Sequence, residues 1–556
     1  MSHPSTPSSS LRVTGVLWLS LVVLLALRVP SLVQPAGGDQ GLYAYTATRV
    51  LAGEVPYRDA WDQKPPAIAF VYALLLKLWP HESAVALGDL LAAALTAGLL
   101  ILLFRRRGAH IAGGAAAFVF LLFGHPSLQR LSGVYVRGQC EPFIALCITA
   151  ALALTATPGR RRWHLVSAGA CLALACWLKY NAIAYALPVA IAGWVWAPGG
   201  SSTAARIKDL AAIAVGVAVP SVAILGYFGA HGALHDLWLA TIDYNLRYSN
   251  ETYDGASSVP VYLITLPFDR ARTDMLWFLG GLGSVALVWR VKSSALNVVL
   301  LGWLAAALLS IVINGQRNLP NYFVQAAPAL AAAAAAGGQL ALSRRGWLTY
   351  GLACAVVLGL WRVGDEGARG TFRWGGIPGL LANVRFDLAY ARGSISRHEY
   401  LSRFRGLQKF DALEIEELAQ YLRETTKPDD AVLVFGFLGG SVCWQSERVS
   451  SSRFFWSRPV IIEFAADVPG YGSAGLLRDL LRRPPAVVAL QKEQWQSEAF
   501  FMGSPPLRAW LESGYVRDHE TPMFTVWRRA RRPDLLAAPP VPGPVVTPAV
   551  AGSPAA

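Results

Sequence analysis

Residues 13–33, VTGVLWLSLVVLLALRVPSLV, lead into Gly38-Asp39-Gln40-Gly41 and then Pro56-Tyr57-Arg58-Asp59-Ala60-Trp61-Asp62-Gln63-Lys64-Pro65-Pro66. A run of about 20 apolar residues crosses the hydrocarbon core of a bilayer. The acids, bases and aromatics that follow therefore sit where the chain leaves the membrane. A purely structural span has little reason to carry them there, and their placement points to an active site at the membrane surface.

The rest of the chain fits that start. Of 556 residues, 54% are hydrophobic and only 15% charged, with a mean hydropathy of +0.39. Soluble domains carry about 25% charged residues. Apolar segments centre on 13–33, 83–104, 110–124, 141–157, 164–179, 182–197, 209–229, 275–289, 295–313, 321–341 and 346–362, giving a polytopic α-helical membrane protein of about 11 spans. The net charge of +14 does not mark a nucleic-acid binder. Arg105–Arg107, Arg160–Arg162, Arg206 with Lys208, Arg290 with Lys292, and Arg344 with Arg345 all lie in short loops. With a cytoplasmic amino terminus every one of these clusters falls inside, as the positive-inside rule requires. The loops 34–82 and 230–274 and everything after 363 then lie outside an inner (cell) membrane, in the periplasm or extracellular space. Arg528, Arg529, Arg531 and Arg532 run against that trend, in a translocated region where the rule is weak.

Residues 1–362 read as the membrane domain, 363–410 as a connector, 411–532 as an exported soluble domain and 533–556 as a disordered Pro/Ala/Val-rich tail. In the soluble part, helices over 412–425, 475–483 and 506–513 alternate with strands over 431–437, 486–490 and 523–527. That alternation predicts a small α/β domain with a largely parallel sheet. The Gly436–Gly440 turn lacks GxGxxG spacing and reads as an ordinary strand end. Of the cysteines only Cys443 lies in the exported part, and no disulfide framework follows.

Asp39 opens the exterior loop before a short helix over 42–52. An aspartate there caps the helix, and it can also serve as a general base, being ionised at neutral pH. Lys64 is held on a stiff segment, because a residue before proline is pushed to extended backbone and proline suits a first helical turn. It either snorkels to headgroups or binds a lipid phosphate. Glu141 stands at the outer end of the fourth segment as a second catalytic acid or a helix-end acid favourable to the dipole. Arg317 offers a planar donor fork to a phosphate. Tyr43, Tyr57, Arg58, Asp62, Arg137 and Tyr322 are the candidate substrate-binding residues. The aromatics of Asp243-Tyr244-Asn245…Tyr248 either stack on a sugar or belong to an interfacial belt. Lys179 reads as a structural residue at an exterior turn. His231 and His235 beside Asp236 are a weak metal signal, and no HExxH occurs.

Asp39 after the first span, Gly53…Pro56-Tyr57, Lys64-Pro65-Pro66, Glu141, and Arg317…Tyr322…Pro328 together resemble the GT-C superfamily of polyprenyl-phosphate-sugar-dependent membrane glycosyltransferases. The likeness is closest to the bacterial aminoarabinose transferase and protein O-mannosyltransferase branch, glycosyltransferase family 39. The resemblance implies that Asp39 is the catalytic residue of the first exterior loop, that Lys64 serves the donor phosphate, and that Glu141 is a second active-site carboxylate. Gln40 stands where many members carry a second acid. The implied reaction is inverting transfer of a sugar from a polyprenyl-phosphate donor to a hydroxyl of a lipid, polysaccharide or protein acceptor at the outer face, as in lipopolysaccharide or protein glycosylation. No cofactor is required, although a divalent metal is compatible. The rival classes are a secondary transporter or flippase of lipid-linked or small polar substrates, which Asp89 inside the second span would suit, and a membrane-biogenesis protein whose exported domain binds a partner.

Overall fold

The computed structural model describes residues 7–128, 133–249, 258–315, 319–342, 377–406, 410–492 and 494–530. Helices occupy ten of the eleven apolar segments, and the eleventh, 346–362, lies outside the described residues along with Arg344, Arg345 and the 533–556 tail. In chain order they are α1 (Pro7–Ala26), α2 (Gly38–Leu51), α3 (Ala67–Leu78), α4 (Ser83–Arg106), α5 (His110–Phe123), α6 (Cys140–Thr155), α7 (Arg162–Leu178) and α8 (Ala186–Val195). Then come α9 (Thr203–Ala230), α10 (Leu234–Trp238), α11 (Tyr244–Ser249), α12 (Val259–Ala271), α13 (Met275–Trp289), α14 (Ala295–Ile313) and α15 (Ala327–Leu342).

Among the described residues, α4, α9 and α14 are each long and apolar enough to cross a membrane. Leu17–Val33 with Gly38–Leu51 makes a fourth if that pair, bent by 74°, counts as one span. The other apolar helices are shorter. Val215, Val219 and Val222 of α9 stand exposed, the surface expected of a helix whose solvent is lipid.

Three of the five basic clusters gather at one end. Arg160 bonds Asp209 at 2.8 Å, Arg106 donates to the Ala153 carbonyl at 2.6 Å, and Arg107 and Arg206 lie over Trp196 and Trp194. These contacts tie the ends of α4, α6 and α8 to the turn before α7 and to the start of α9. Asp89, the residue that suited transport, is occupied structurally. It accepts the Gly138 N–H at 3.1 Å and lies 3.9 Å from the Arg28 guanidinium.

After a two-residue ladder of β1 (Arg405–Gly406) and β2 (Phe410–Asp411), a five-stranded sheet is built from β3 (Ala431–Phe435), β4 (Val449–Ser450), β5 (Val487–Gln491), β6 (Tyr515–Glu520) and β7 (Phe524–Arg529), in the order β4-β3-β5-β7-β6. β3 runs parallel to both its neighbours, whereas β7 runs antiparallel to β5 and β6. The sheet is mixed, not largely parallel as expected. β6 escaped the sequence because it is an edge strand: only Tyr515 of its six residues is buried, so it carries no apolar alternation. β3 and β5 are buried along their whole length and read as continuous apolar runs.

The sheet domain sits directly on α2. Tyr45 accepts the Ser450 N–H at 2.8 Å, Trp456 donates its indole N–H to the Trp61 carbonyl at 3.1 Å, and the Trp61 N–H reaches the Arg453 carbonyl at 2.9 Å. Gly41 permits the approach, because a Cβ there would run into the side chain and Cα of Ser441. The Gly436–Gly440 turn is therefore a docking contact, with Phe437 over Gly38 and Gly440 against Leu42.

Candidate functional site

The chain turns by 74° between the first segment and α2, which carries α2 off the α1 axis. α2 starts at Gly38, four residues before the expected helix, and its N-cap is Gly37 with no side-chain cap. Asp39 thus lies inside the first turn and is not the capping residue. A carboxylate there is favoured by the helix dipole, and its oxygens are not spent on capping. The Gln139 side chain hydrogen-bonds Asp39, and the charges of Lys64, Glu141 and Lys179 all reach it. Burial raises the Asp39 carboxyl above the usual carboxylate range; Lys64 and Lys179 oppose the rise and Glu141 adds to it. A base whose pKa is lifted toward neutrality transfers protons more effectively at neutral pH.

Gln40 does different work. Its amide nitrogen donates to the carbonyls of Val134 at 2.7 Å and Arg137 at 2.5 Å, which clasps the segment before α6 to α2. A carboxylate cannot donate and would face two carbonyl oxygens. Gln40→Glu is expected to cost about 1–3 kcal/mol, the range for leaving buried polar groups unsatisfied. The measurement is denaturation of the purified chain in detergent, and an unchanged midpoint would contradict the clasp.

Lys64 is braced from two sides. The Tyr57 hydroxyl donates to the Lys64 carbonyl at 2.7 Å, and the Asn245 side chain donates to the Gln63 carbonyl at 2.7 Å. Pro66 is the N-cap of α3, as the proline pair predicts. Tyr57 itself holds a left-handed conformation at φ 71° and packs its ring on Phe228. Trp61 is fully buried against Tyr244, Phe454, Trp456 and Phe464, so the loop is pinned by the sheet domain.

Asp62 is buried beside Lys64, and burial lifts its carboxyl to about 6, against the pull of Lys64 and the Gln63 N–H. A carboxyl raised on folding supplies stability that is complete below its unfolded pKa of about 4 and is lost as pH climbs through about 6. Asp62→Asn keeps an acceptor for the Gln63 N–H without the charge. The variant should therefore melt higher than the wild type at pH 8 and no higher at pH 4.5. Equal melting-temperature differences at the two pH values would show that Asp62 does not titrate this way.

Glu141 lies in the first turn of α6 and is almost wholly buried. Lys179, the residue between α7 and a 3-10 turn over Tyr180–Tyr185, donates to it at 2.8 Å and lies 3.8 Å from the centre of the Tyr322 ring. Beneath them a buried polar chain fixes the helices: Asn181 donates to Ser310, and the Ser310 hydroxyl donates to Gln325 at 2.8 Å. A cavity of about 310 Å³ opens beside the cluster, with Lys64, Lys179, Tyr180, Asn245, Asn314 and Tyr322 on its wall. Two ammonium groups and several neutral donors around one cavity can hold a phosphate.

Asp39, Lys64, Glu141 and Tyr322 thus come together, with Tyr43 beside them, its hydroxyl 3.3 Å from the Gln139 amide oxygen. Lys179 joins them although the sequence cast it as structural. The signal for it was a lysine between two apolar runs at the same end as Asp39. Arg137 points elsewhere, donating to the Ser31 carbonyl at 3.0 Å in the region of Asp89, Asp387 and Tyr400. Arg58 pairs with Asp59 and donates to the His231 carbonyl at 3.0 Å on the surface. Arg317 lies outside the described residues. Tyr244 packs on Trp61, and the side chain of Tyr248 is outside the described set. His231 bonds the Tyr227 carbonyl, Asp236 faces Arg453 at 3.7 Å, and no group of three His, Cys, Asp or Glu able to hold a metal occurs among the described residues.

No protein-family model matches the chain, and no curated protein matches it either. Solved structures do. ArnT from Cupriavidus metallidurans in the apo state superposes with a TM-score of 0.55 at 16% identity, covering 93% of this chain and 98% of that one. The same enzyme bound to undecaprenyl phosphate gives 0.53 at 15% identity, covering 95% and 99%. An Archaeoglobus fulgidus oligosaccharyltransferase tethered with an acceptor peptide gives 0.48 at 14% identity, covering 93% and 74%. At this identity the likeness shows the fold alone: this chain shares the fold of ArnT, a helical part followed by a sheet-containing carboxyl-terminal part.

Proposed function

We propose that this protein transfers a sugar from a polyprenyl-phosphate donor to an acceptor hydroxyl at the outer face of the membrane. The observation that carries the proposal is the convergence of Asp39, Lys64, Glu141, Lys179 and Tyr322 beside one cavity. The fold shared with an enzyme solved with undecaprenyl phosphate supports the donor class.

Asp39 accepts the proton of the acceptor hydroxyl while its oxygen bonds the anomeric carbon. The bond from that carbon to the phosphate oxygen breaks, and its electron pair leaves with the polyprenyl phosphate. The transition state is oxocarbenium-like, so negative charge grows on the phosphate, where Lys64 and Lys179 meet it. Fixed cations aimed at developing charge are the strongest device available to such a site. The two acids are told apart by their partners. Glu141 is paired with Lys179 at 2.8 Å, and among the described residues no cation stands within 4 Å of Asp39. Glu141 orients a lysine; Asp39 is the acid free to take a proton.

A single displacement inverts the anomeric centre. Product from a donor of defined configuration, read by the proton coupling of the transferred sugar, should carry the opposite configuration. Retention would require two displacements and a protein nucleophile, and would overturn the mechanism.

A further inference from the structure

A second cavity lies at the other end of α2. It encloses about 530 Å³, within the range of small-molecule sites, and is formed where α2 and the turn before α4 meet the sheet domain. Its wall includes Arg49, Glu82, Arg423, Trp444, Gln445 and Glu447. Ten residues at about 1.5 Å each put Arg49 roughly 15 Å along the helix from Asp39.

The chemistry of this wall is that of a polyhydroxylated ligand. Its arginines all have partners: Arg49 grips Glu54, Arg397 bonds Glu416 at 3.0 Å with Glu82 at 3.8 Å, Arg423 donates to the Gln445 carbonyl, and Arg448 donates to the Thr426 hydroxyl and the Ser446 carbonyl. Four arginines stand there with Glu82, Glu416 and Glu447 of the wall and Glu54 beside Arg49, so the charges balance and no excess of cations demands a phosphate. Guanidinium and carboxylate groups side by side offer the donors and acceptors that vicinal hydroxyls need, and Trp444 supplies an aromatic face. The Gln445 side-chain oxygen is buried without a hydrogen-bond partner, an acceptor awaiting a donor. The wall also carries Leu51, 46% exposed, and its His81 is stacked by Trp79, 39% exposed. A polar cavity with an apolar lip suits a saccharide that is anchored in lipid.

We infer that this cavity binds the uncharged saccharide body of a lipid-anchored acceptor, so that α2 spans from the held sugar at Arg49 to the reacting hydroxyl at Asp39. The inference rests on the glycosyltransferase reading for the word acceptor, and on the cavity alone for the ligand class.

The test uses the full chain in nanodiscs of phosphatidylethanolamine and phosphatidylglycerol containing a minor fraction of diglucosyl-diacylglycerol. Leu51 is replaced by p-benzoylphenylalanine, a second sample carries it instead at Leu74, which is 58% exposed and not on the cavity wall, and adducts are weighed after irradiation. Glycolipid adducts at position 51 should exceed the glycolipid mole fraction by about tenfold, an excess worth roughly 1.4 kcal/mol. At position 74 adducts should follow bulk composition. Trp444→Ala and Arg423→Ala, tested separately with the probe at 51, should each reduce the excess. Equal composition at both positions, phospholipid adducts alone, or adducts only to a polypeptide would overturn the site. Enrichment by a chain that transfers no sugar would keep the glycolipid site and overturn its acceptor role. Transfer without enrichment would leave the catalytic reading intact and remove this one.

Discussion

Asp39→Asn is expected to lower the rate of sugar transfer by about 10²–10⁴-fold, the usual contribution of a positioned general base. That is a loss of roughly 3–5 kcal/mol in transition-state stabilisation. The substitution is nearly isosteric and keeps an acceptor for the Gln139 side chain. It forfeits about 0.3–1 kcal/mol of helix-dipole interaction at the start of α2, and it relieves the burial that raises the carboxyl. The fold should therefore survive while turnover collapses. Initial rates at saturating donor, with a melting curve on the same preparation, separate the two effects. A well-folded Asp39→Asn protein that transfers at the wild-type rate would remove Asp39 as the base.

Lys64→Ala is expected to reduce kcat/KM by about 10²–10³-fold, the magnitude seen when one group stabilising a developing anion is removed. Its side chain is in no ion pair within 4 Å among the described residues, so little stability should go with it. Lys179 behaves differently because it holds Glu141. Lys179→Met strands a buried carboxylate, which costs about 3–5 kcal/mol of stability. The double variant Lys179→Met/Glu141→Gln should recover most of that stability without recovering activity. Rate against melting temperature across the three variants is the measurement. Parallel losses of stability in Lys64→Ala and Lys179→Met would show that both lysines are structural.

Much of the fold and of the candidate site was legible in the sequence. Apolar runs placed ten helices, and the 412–425 helix and the strand beginning at Ala431 emerged where the pattern put them. Asp39, Lys64, Glu141 and Tyr322 announced themselves as polar groups at one end of apolar segments. Lys179 did not, because a lysine at an interfacial turn has a sufficient role in snorkelling, and only the packing of α6 against α7 reveals its partner. Gln40 looked like a departure from an acidic pair, and its donation to two carbonyls explains why a neutral amide serves there. α3 is apolar but too short to register as a span. The contact between Gly41 and Ser441 joins positions four hundred residues apart, and nothing local in the sequence encodes it. Arg137 and Arg58 had the right chemistry beside the right motif, yet each is spent on backbone carbonyls away from Asp39.

The most direct measurement follows a radiolabelled sugar on polyprenyl phosphate in membranes containing the wild-type chain or Asp39→Asn. Asp39, Lys64 and Lys179 acting as base and phosphate clamp predict that label moves to an acceptor with one polyprenyl phosphate released per sugar, and that Asp39→Asn stops both. Label that stays on its lipid and only changes leaflet in the presence of the wild-type chain would contradict group transfer and make the protein a transporter.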